Sequence, residues 1–217
     1  MSSSTEHITG HSGSASALLV IDLQESFRQR PNWQAVSDPG IVEKAGRLVT
    51  AARERGESVI WVLHSEPGTG TVFDPESGHV RLQDELEPYA GEPVLTKTAH
   101  NAFTTTGLQQ LLTTRGIRAL TIAGIRTEQC CETTARLASD LGYEVTFAID
   151  ATATTPTEHR DAPPGRSLAE ILADPRTLPT TEIIARTEYA LAGRFATIRT
   201  VAELTGEPAT RTAVPGR

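Results

Sequence analysis

Apolar residues along this chain fall into short continuous runs, separated by longer stretches in which they recur every three or four positions. The runs at 17–21, 58–63, 93–96, 119–123 and 143–149 are too short for helices and are bounded by Gly, Pro or charge. They read as strands buried on both faces, with Gly124 ending the fourth and Asp150 the fifth. Between them, Ile41, Val42, Ala45, Leu48, Val49 and Ala52 mark a helical face that Gly56 closes, with Asp38 as cap and Pro39 at the first position. Leu108, Leu111 and Leu112 line a second helix, stopped by Gly116. Cys130, Cys131, Thr134, Leu137, Ala138 and Leu141 line a third, with Gly142 at its C-cap. Ser167 and Glu170 then form a capping box for a helix at 168–173. A helix at 181–192 carries Ile183, Ile184, Thr187, Ala190 and Leu191 on one face. Gly193 separates it from a sixth strand at 195–199 and a helical turn at 201–204.

Strands alternating with helices predict an α/β, three-layer Rossmann-like fold: a six-stranded, mainly parallel sheet with helices on both faces. The expected layout is a disordered tail at 1–16, one domain at 17–205 and a loose tail at 206–217. Ligands bind such sheets beyond the carboxyl ends of the strands. Asp22, His64, Lys97 and the turn from Gly124 to Cys130 all fall there. The long Gly- and Pro-rich loop at 64–92 reads as a lid or a subunit contact.

Composition narrows the function. With 217 residues one domain is expected, and a net charge of −7 argues against nucleic acid or an anionic membrane as partner. No apolar run has the length of a membrane span, and the first sixteen residues show no signal-peptide pattern, so cytoplasm is the expected location. The two cysteines are neighbours and close no structural loop. The first strand is followed by DLQESF rather than a glycine-rich phosphate turn, so no nicotinamide cofactor is expected. Cys130 stands at a helix start, where unpaired N–H groups and the positive end of the macrodipole lower a thiol pKa and can hold an oxyanion. Asp22, after four apolar residues, suits a general base, and Lys97 a cation that steadies the thiolate. Each also has a structural reading, as a cap, a surface lysine or a small buried hydrophobe.

Three motifs, LLVIDLQESF around Asp22, LTKTAHNAFTTTGL around Lys97 and AGIRTEQCCETTARLASDLGYEV around Cys130, resemble the isochorismatase-like cysteine hydrolase superfamily. That group includes nicotinamidases, N-carbamoylsarcosine amidases, ureide hydrolases and streptothricin-type lactam hydrolases, and the likeness spans about residues 17–154. It implies a triad of Asp22, Lys97 and Cys130, the last standing six positions after Gly124 with Thr127 between. It also implies a non-proline cis peptide at Ile125–Arg126, directing the Arg126 and Cys130 N–H groups at a substrate oxygen. Cys131 takes a position where relatives carry a small apolar residue and reads as packing. Self-association as a homodimer or homotetramer is implied as well.

The departures carry information too. The segment LHSEPGTG lacks the Asp-x-His with which nicotinamidases bind a divalent metal, and Ser26 stands where metal-binding relatives often have an acid. His64, Glu66, Asp74 and His79 match no metal-site spacing, so no metal is expected. A cysteine nucleophile favours amide over vinyl-ether chemistry. The expected activity is therefore C–N hydrolysis of a small amide, ureide or lactam through a Cys130 thioester, with Asp22 as general acid/base and Lys97 as charge stabiliser. Phe27, Trp33, His64, Phe73 and Phe103 are candidate pocket walls, or ordinary core aromatics. The alternatives are a redox protein using Cys130 and Cys131, an isochorismatase-type hydrolase of a non-amide substrate, and a silent ligand binder.

Overall fold

A computed structural model describes residues 15–207. Six strands form one sheet: β1 (Ala15–Ile21), β2 (Ser58–His64), β3 (Val94–Lys97), β4 (Ile117–Ile125), β5 (Glu144–Ala153) and β6 (Thr197–Arg199). Their spatial order is β3-β2-β1-β4-β5-β6, and every pair is parallel. The helices are α1 (Glu25–Arg28), α2 (Ile41–Glu54), α3 (Leu108–Thr114), α4 (Glu132–Asp140), α5 (Leu168–Ala173), α6 (Thr180–Leu191) and α7 (Val201–Thr205).

Alternate residues of a strand face opposite sides of the sheet, and both sides here are covered. Leu18, Val20 and Trp61 pack against Ile41, Ala45 and Leu48 of α2 and Val201 of α7. Leu19, Ile21, Ile60 and Ile122 pack the other way, against Leu108 and Leu112 of α3, Ala135 and Ala138 of α4, and Leu191 of α6. Double-sided burial is why the strands appear in the sequence as unbroken apolar runs.

From β1 the chain builds β2 and β3 on one side, and then β4, β5 and β6 on the other. The order reverses between β1 and β4, and their carboxyl ends are the switch point at which sheets of this kind bind ligands. Gly124 lies at this point and does not end β4, as its position had suggested: it pairs with Ile21 inside the strand, at φ +137°. A Cβ there would lie 1.9 Å from the Ile21 carbonyl oxygen, so only glycine lets the two backbones approach.

Other boundaries differ from expectation for similarly non-local reasons. β5 runs past Asp150 to Ala153, because its ladder with β4 jumps from Ile122↔Phe147 to Gly124↔Thr152 across a bulge. Asp150 sits in that bulge and accepts the Val201 N–H at 2.7 Å, at the start of α7. Helix α2 begins at Ile41: Asp38 accepts the Gly40 N–H in a turn before it, and Pro39 lies outside. Leu141 and Ala190 are exposed, and Phe195 precedes β6. Of the expected tails, Ala15 and Ser16 join β1, Gly206 caps α7 and Glu207 pairs with Arg47. The remainder, 1–14 and 208–217, lies outside the described residues. The loop after β2 folds back on the segment after β1, with Arg81 and His79 carbonyls accepting the Glu25 and Ser26 N–H groups at 2.9 and 3.1 Å.

Candidate active site

Three side chains converge at the switch point. Asp22 follows β1 directly, in a left-handed conformation (φ +54°) that aspartate tolerates better than most residues, and donates its N–H to the Val62 carbonyl at 2.8 Å. Lys97 is the last residue of β3 and reaches across the end of β2. Cys130 lies in a single π turn, Thr127–Cys131, between β4 and α4. Lys97 Nζ donates to Asp22 Oδ2 at 2.8 Å and to Cys130 Sγ at 3.4 Å. All three residues are buried, Asp22 and Lys97 completely and Cys130 with 5% of its surface exposed.

Burial governs the electrostatics. It raises the Asp22 carboxyl, with Lys97 opposing, and Asp22 Oδ1 has no hydrogen-bond partner among the described residues. Burial alone would lower Lys97, but Asp22 and Cys130 beside it reverse the sign and keep it an ammonium. The Cys130 thiol is pushed up to about 12, first by burial and then by the Asp22 carboxylate, against the pull of Lys97. This differs from the expectation of an acidic thiol at a helix start: Cys130 lies in the turn before α4, where desolvation and the neighbouring carboxylate raise it. The resting site therefore holds a neutral thiol beside the Lys97–Asp22 pair.

The Ile125–Arg126 peptide is cis. The Arg126 carbonyl accepts the Gln129 and Cys131 N–H groups at 3.1 and 3.2 Å, which closes the π turn. Its guanidinium reaches Thr154 Oγ1, the Thr155 carbonyl and Thr157 Oγ1, and lies 3.2 Å from Glu128. Phe27 and Phe73 meet edge to face at 5.0 Å, and Phe73 meets the His64 ring at 5.7 Å. Trp33 packs half-buried against the same cluster. Phe103 is not brought to them: it stacks on Tyr143 at the amino end of β5, in the cluster beneath α3 and α4. Cys131 is a completely buried free thiol. Asp74 is occupied as a cap, accepting the Gly70 and Glu76 N–H groups. Among the described residues no three His, Cys, Asp or Glu gather to hold a metal, and no helix is long and apolar enough to cross a membrane.

Gln24 had no assigned part in the sequence. It is fully buried and pins the end of β2 to the segment after β1: its Oε1 accepts the His64 N–H at 2.7 Å and its Nε2 donates to the His64 carbonyl at 3.0 Å. The only local signal is a polar residue three positions past a buried strand.

Fold and site together define an isochorismatase-type hydrolase. The chain belongs to the isochorismatase family, whose domain model matches residues 16–169. It is similar to streptothricin hydrolase of Streptomyces noursei, 36% identical over 139 residues that cover 64% of this chain and 54% of that protein. It is also similar to ureidoacrylate amidohydrolase of Cronobacter sakazakii, 27% identical over 183 residues covering 69% of this chain and 76% of the relative. An isochorismatase-family crystal structure from Chromobacterium violaceum matches with a TM-score of 0.77 at 27% identity, covering 90% of this chain and 94% of the other.

Proposed function

We propose that the protein hydrolyses a carbon–nitrogen bond of a small amide, ureide or lactam through a thioester on Cys130. The observation that carries this reading is one buried ammonium, Lys97, in contact with both a carboxylate and a thiol. Asp22 takes the thiol proton as the sulfur attacks the carbonyl carbon, and the carbonyl electron pair moves onto oxygen. The Arg126 and Cys130 N–H groups and Lys97 hold that oxyanion. Asp22 then gives its proton to the leaving nitrogen as the C–N bond breaks. Water surrenders a proton to Asp22, attacks the thioester and releases the acid, and the proton returns to sulfur.

A neutral resting thiol fits this sequence, since the thiolate forms only as Asp22 takes the proton. Two relatives whose names specify hydrolysis of streptothricin and of ureidoacrylate support the C–N reading over the vinyl-ether one. Phe27, Trp33, His64 and Phe73 form the wall available to the acyl part. The test is ammonia or amine release from a panel of amides, ureides and lactams, beside Cys130→Ala. Turnover by the parent and none by the variant is expected; a panel on which the two behave alike sinks the reading.

A further inference from the structure

Lys97 carries three N–H bonds, and each has an acceptor: Asp22 Oδ2 at 2.8 Å, Cys130 Sγ at 3.4 Å and His64 Nδ1 at 3.3 Å. The first two belong to the proposed chemistry. The third does not, yet the imidazole that supplies it is fixed from several directions. Gln24 holds both main-chain groups of His64. Gln24 is itself clamped by Gln83, whose Nε2 donates to the Gln24 carbonyl at 3.3 Å. The Phe73 ring meets the imidazole at 67°. On the outer side His64 Nε2 faces Glu66 Oε1 at 3.4 Å, and Thr71 Oγ1 donates to the other Glu66 oxygen at 3.0 Å. The His100 ring lies further off, its centroid 6.4 Å away.

This arrangement selects a tautomer. A proton on Nε2 is directed at Glu66, and the lone pair of Nδ1 is left facing the ammonium. Burial, and then the charge of Lys97, keep the imidazole neutral, so it remains an acceptor.

We infer that His64 is a positioning residue for Lys97: its Nδ1 takes the third N–H of the ammonium and so aims the other two at Asp22 and Cys130. Without that acceptor the buried ammonium has an orphan donor, and rotation about its Cε–Nζ bond is no longer fixed by three partners. His64 thus acts on the reaction through Lys97, a part distinct from a pocket wall. The inference rests on the reading of Lys97 as the group that holds charge at Cys130.

The test uses a readout that needs no substrate. Iodoacetamide alkylates Cys130 with loss of iodide, and peptide mass mapping separates this adduct from one on Cys131. Three proteins are compared across a pH series: the parent, His64→Phe, and His64→Asn, whose side-chain oxygen can stand where Nδ1 stands. Losing one hydrogen bond to a charged group is expected to slow Cys130 alkylation about tenfold in His64→Phe near pH 9 and to displace its profile toward higher pH, with His64→Asn within about twofold of the parent. Once a substrate is known, kcat is expected to fall in His64→Phe and to recover in His64→Asn. His64→Leu replaces His64→Phe if circular dichroism shows the latter unfolded. The inference is overturned if the apolar variant matches the parent, or if His64→Asn is as slow as the apolar variant, which would mean packing alone. A contrast that persists in a protein turning over no amide leaves the positioning role standing and removes the hydrolase reading.

Discussion

Replacing Lys97 by Met removes the ammonium but leaves the Asp22 carboxylate in place, fully buried and beside a thiol. Breaking a buried pair from one side costs about 3–5 kcal/mol, because the remaining charge has neither water nor partner. For a domain of this size that is a fall in melting temperature on the order of 10 °C. The pH dependence follows from Asp22. Its folded-state pKa already stands above the ordinary 3.8, and losing Lys97 raises it further. A group raised on folding favours the native state most below its unfolded pKa, and that contribution is lost as pH rises through the folded one. The deficit of Lys97→Met is therefore greatest near neutrality and shrinks toward about pH 4. Adding Asp22→Asn removes the second charge and restores most of the loss. The assay is urea unfolding of the four proteins of this double-mutant cycle at several pH values. A Lys97→Met deficit under about 1 kcal/mol, or one that the added Asp22→Asn leaves untouched, refutes the argument that the two charges offset each other in the core.

Four further outcomes follow. Gly124→Ala drives a methyl into the Ile21 carbonyl and should prevent folding or destabilise by more than about 4 kcal/mol in urea titration, whereas Gly46→Ala on α2, with nothing within 4 Å, should be neutral or gain about 0.5–1 kcal/mol. Cys130→Ala should lower turnover at least about a thousandfold in the amide panel, while Cys131→Ala keeps turnover and loses about 1 kcal/mol of stability from the small cavity it leaves. With its thiol pushed up to about 12, Cys130 should be alkylated by iodoacetamide more slowly than a free model thiol at neutral pH, with a rate that climbs into the alkaline range; a plateau at neutral pH would contradict this. The Lys97 ammonium, raised above its ordinary 10.5, contributes stability below that value and loses it as pH rises through the folded pKa, so alkaline unfolding should be milder in Lys97→Met than in the parent.

Local pattern carried the architecture because the sheet is buried on both faces. A run such as Leu18–Ile21 has no polar alternative, and Gly56, Gly116, Gly142 and Gly193 each follow the helix or turn they close at positive φ. The same logic brought Asp22, Lys97 and Cys130 into view, since a charge or thiol at the end of an apolar run is placed at the binding edge of a parallel sheet. What the sequence hid depends on partners distant along the chain. Gly124 looks like a terminator until Ile21 is laid beside it. β5 continues past Asp150 only because β4 offers its last residues across a bulge, and Phe103 turns to Tyr143 rather than to the aromatic group at Phe27. Gln24 acquires its part from His64, forty residues on. The upward Cys130 shift comes from how completely the loops exclude water, which a helix start does not show.

The central claim is that Cys130 forms a covalent bond with the acyl part of a substrate, and acid-quenched mass spectrometry tests it most directly. With a substrate that the parent turns over, the protein quenched in mid-reaction should gain the mass of the acyl group on the peptide containing Cys130, and hydroxylamine should remove it. Turnover that proceeds with no such adduct, and at the same rate in Cys130→Ala, would contradict the account.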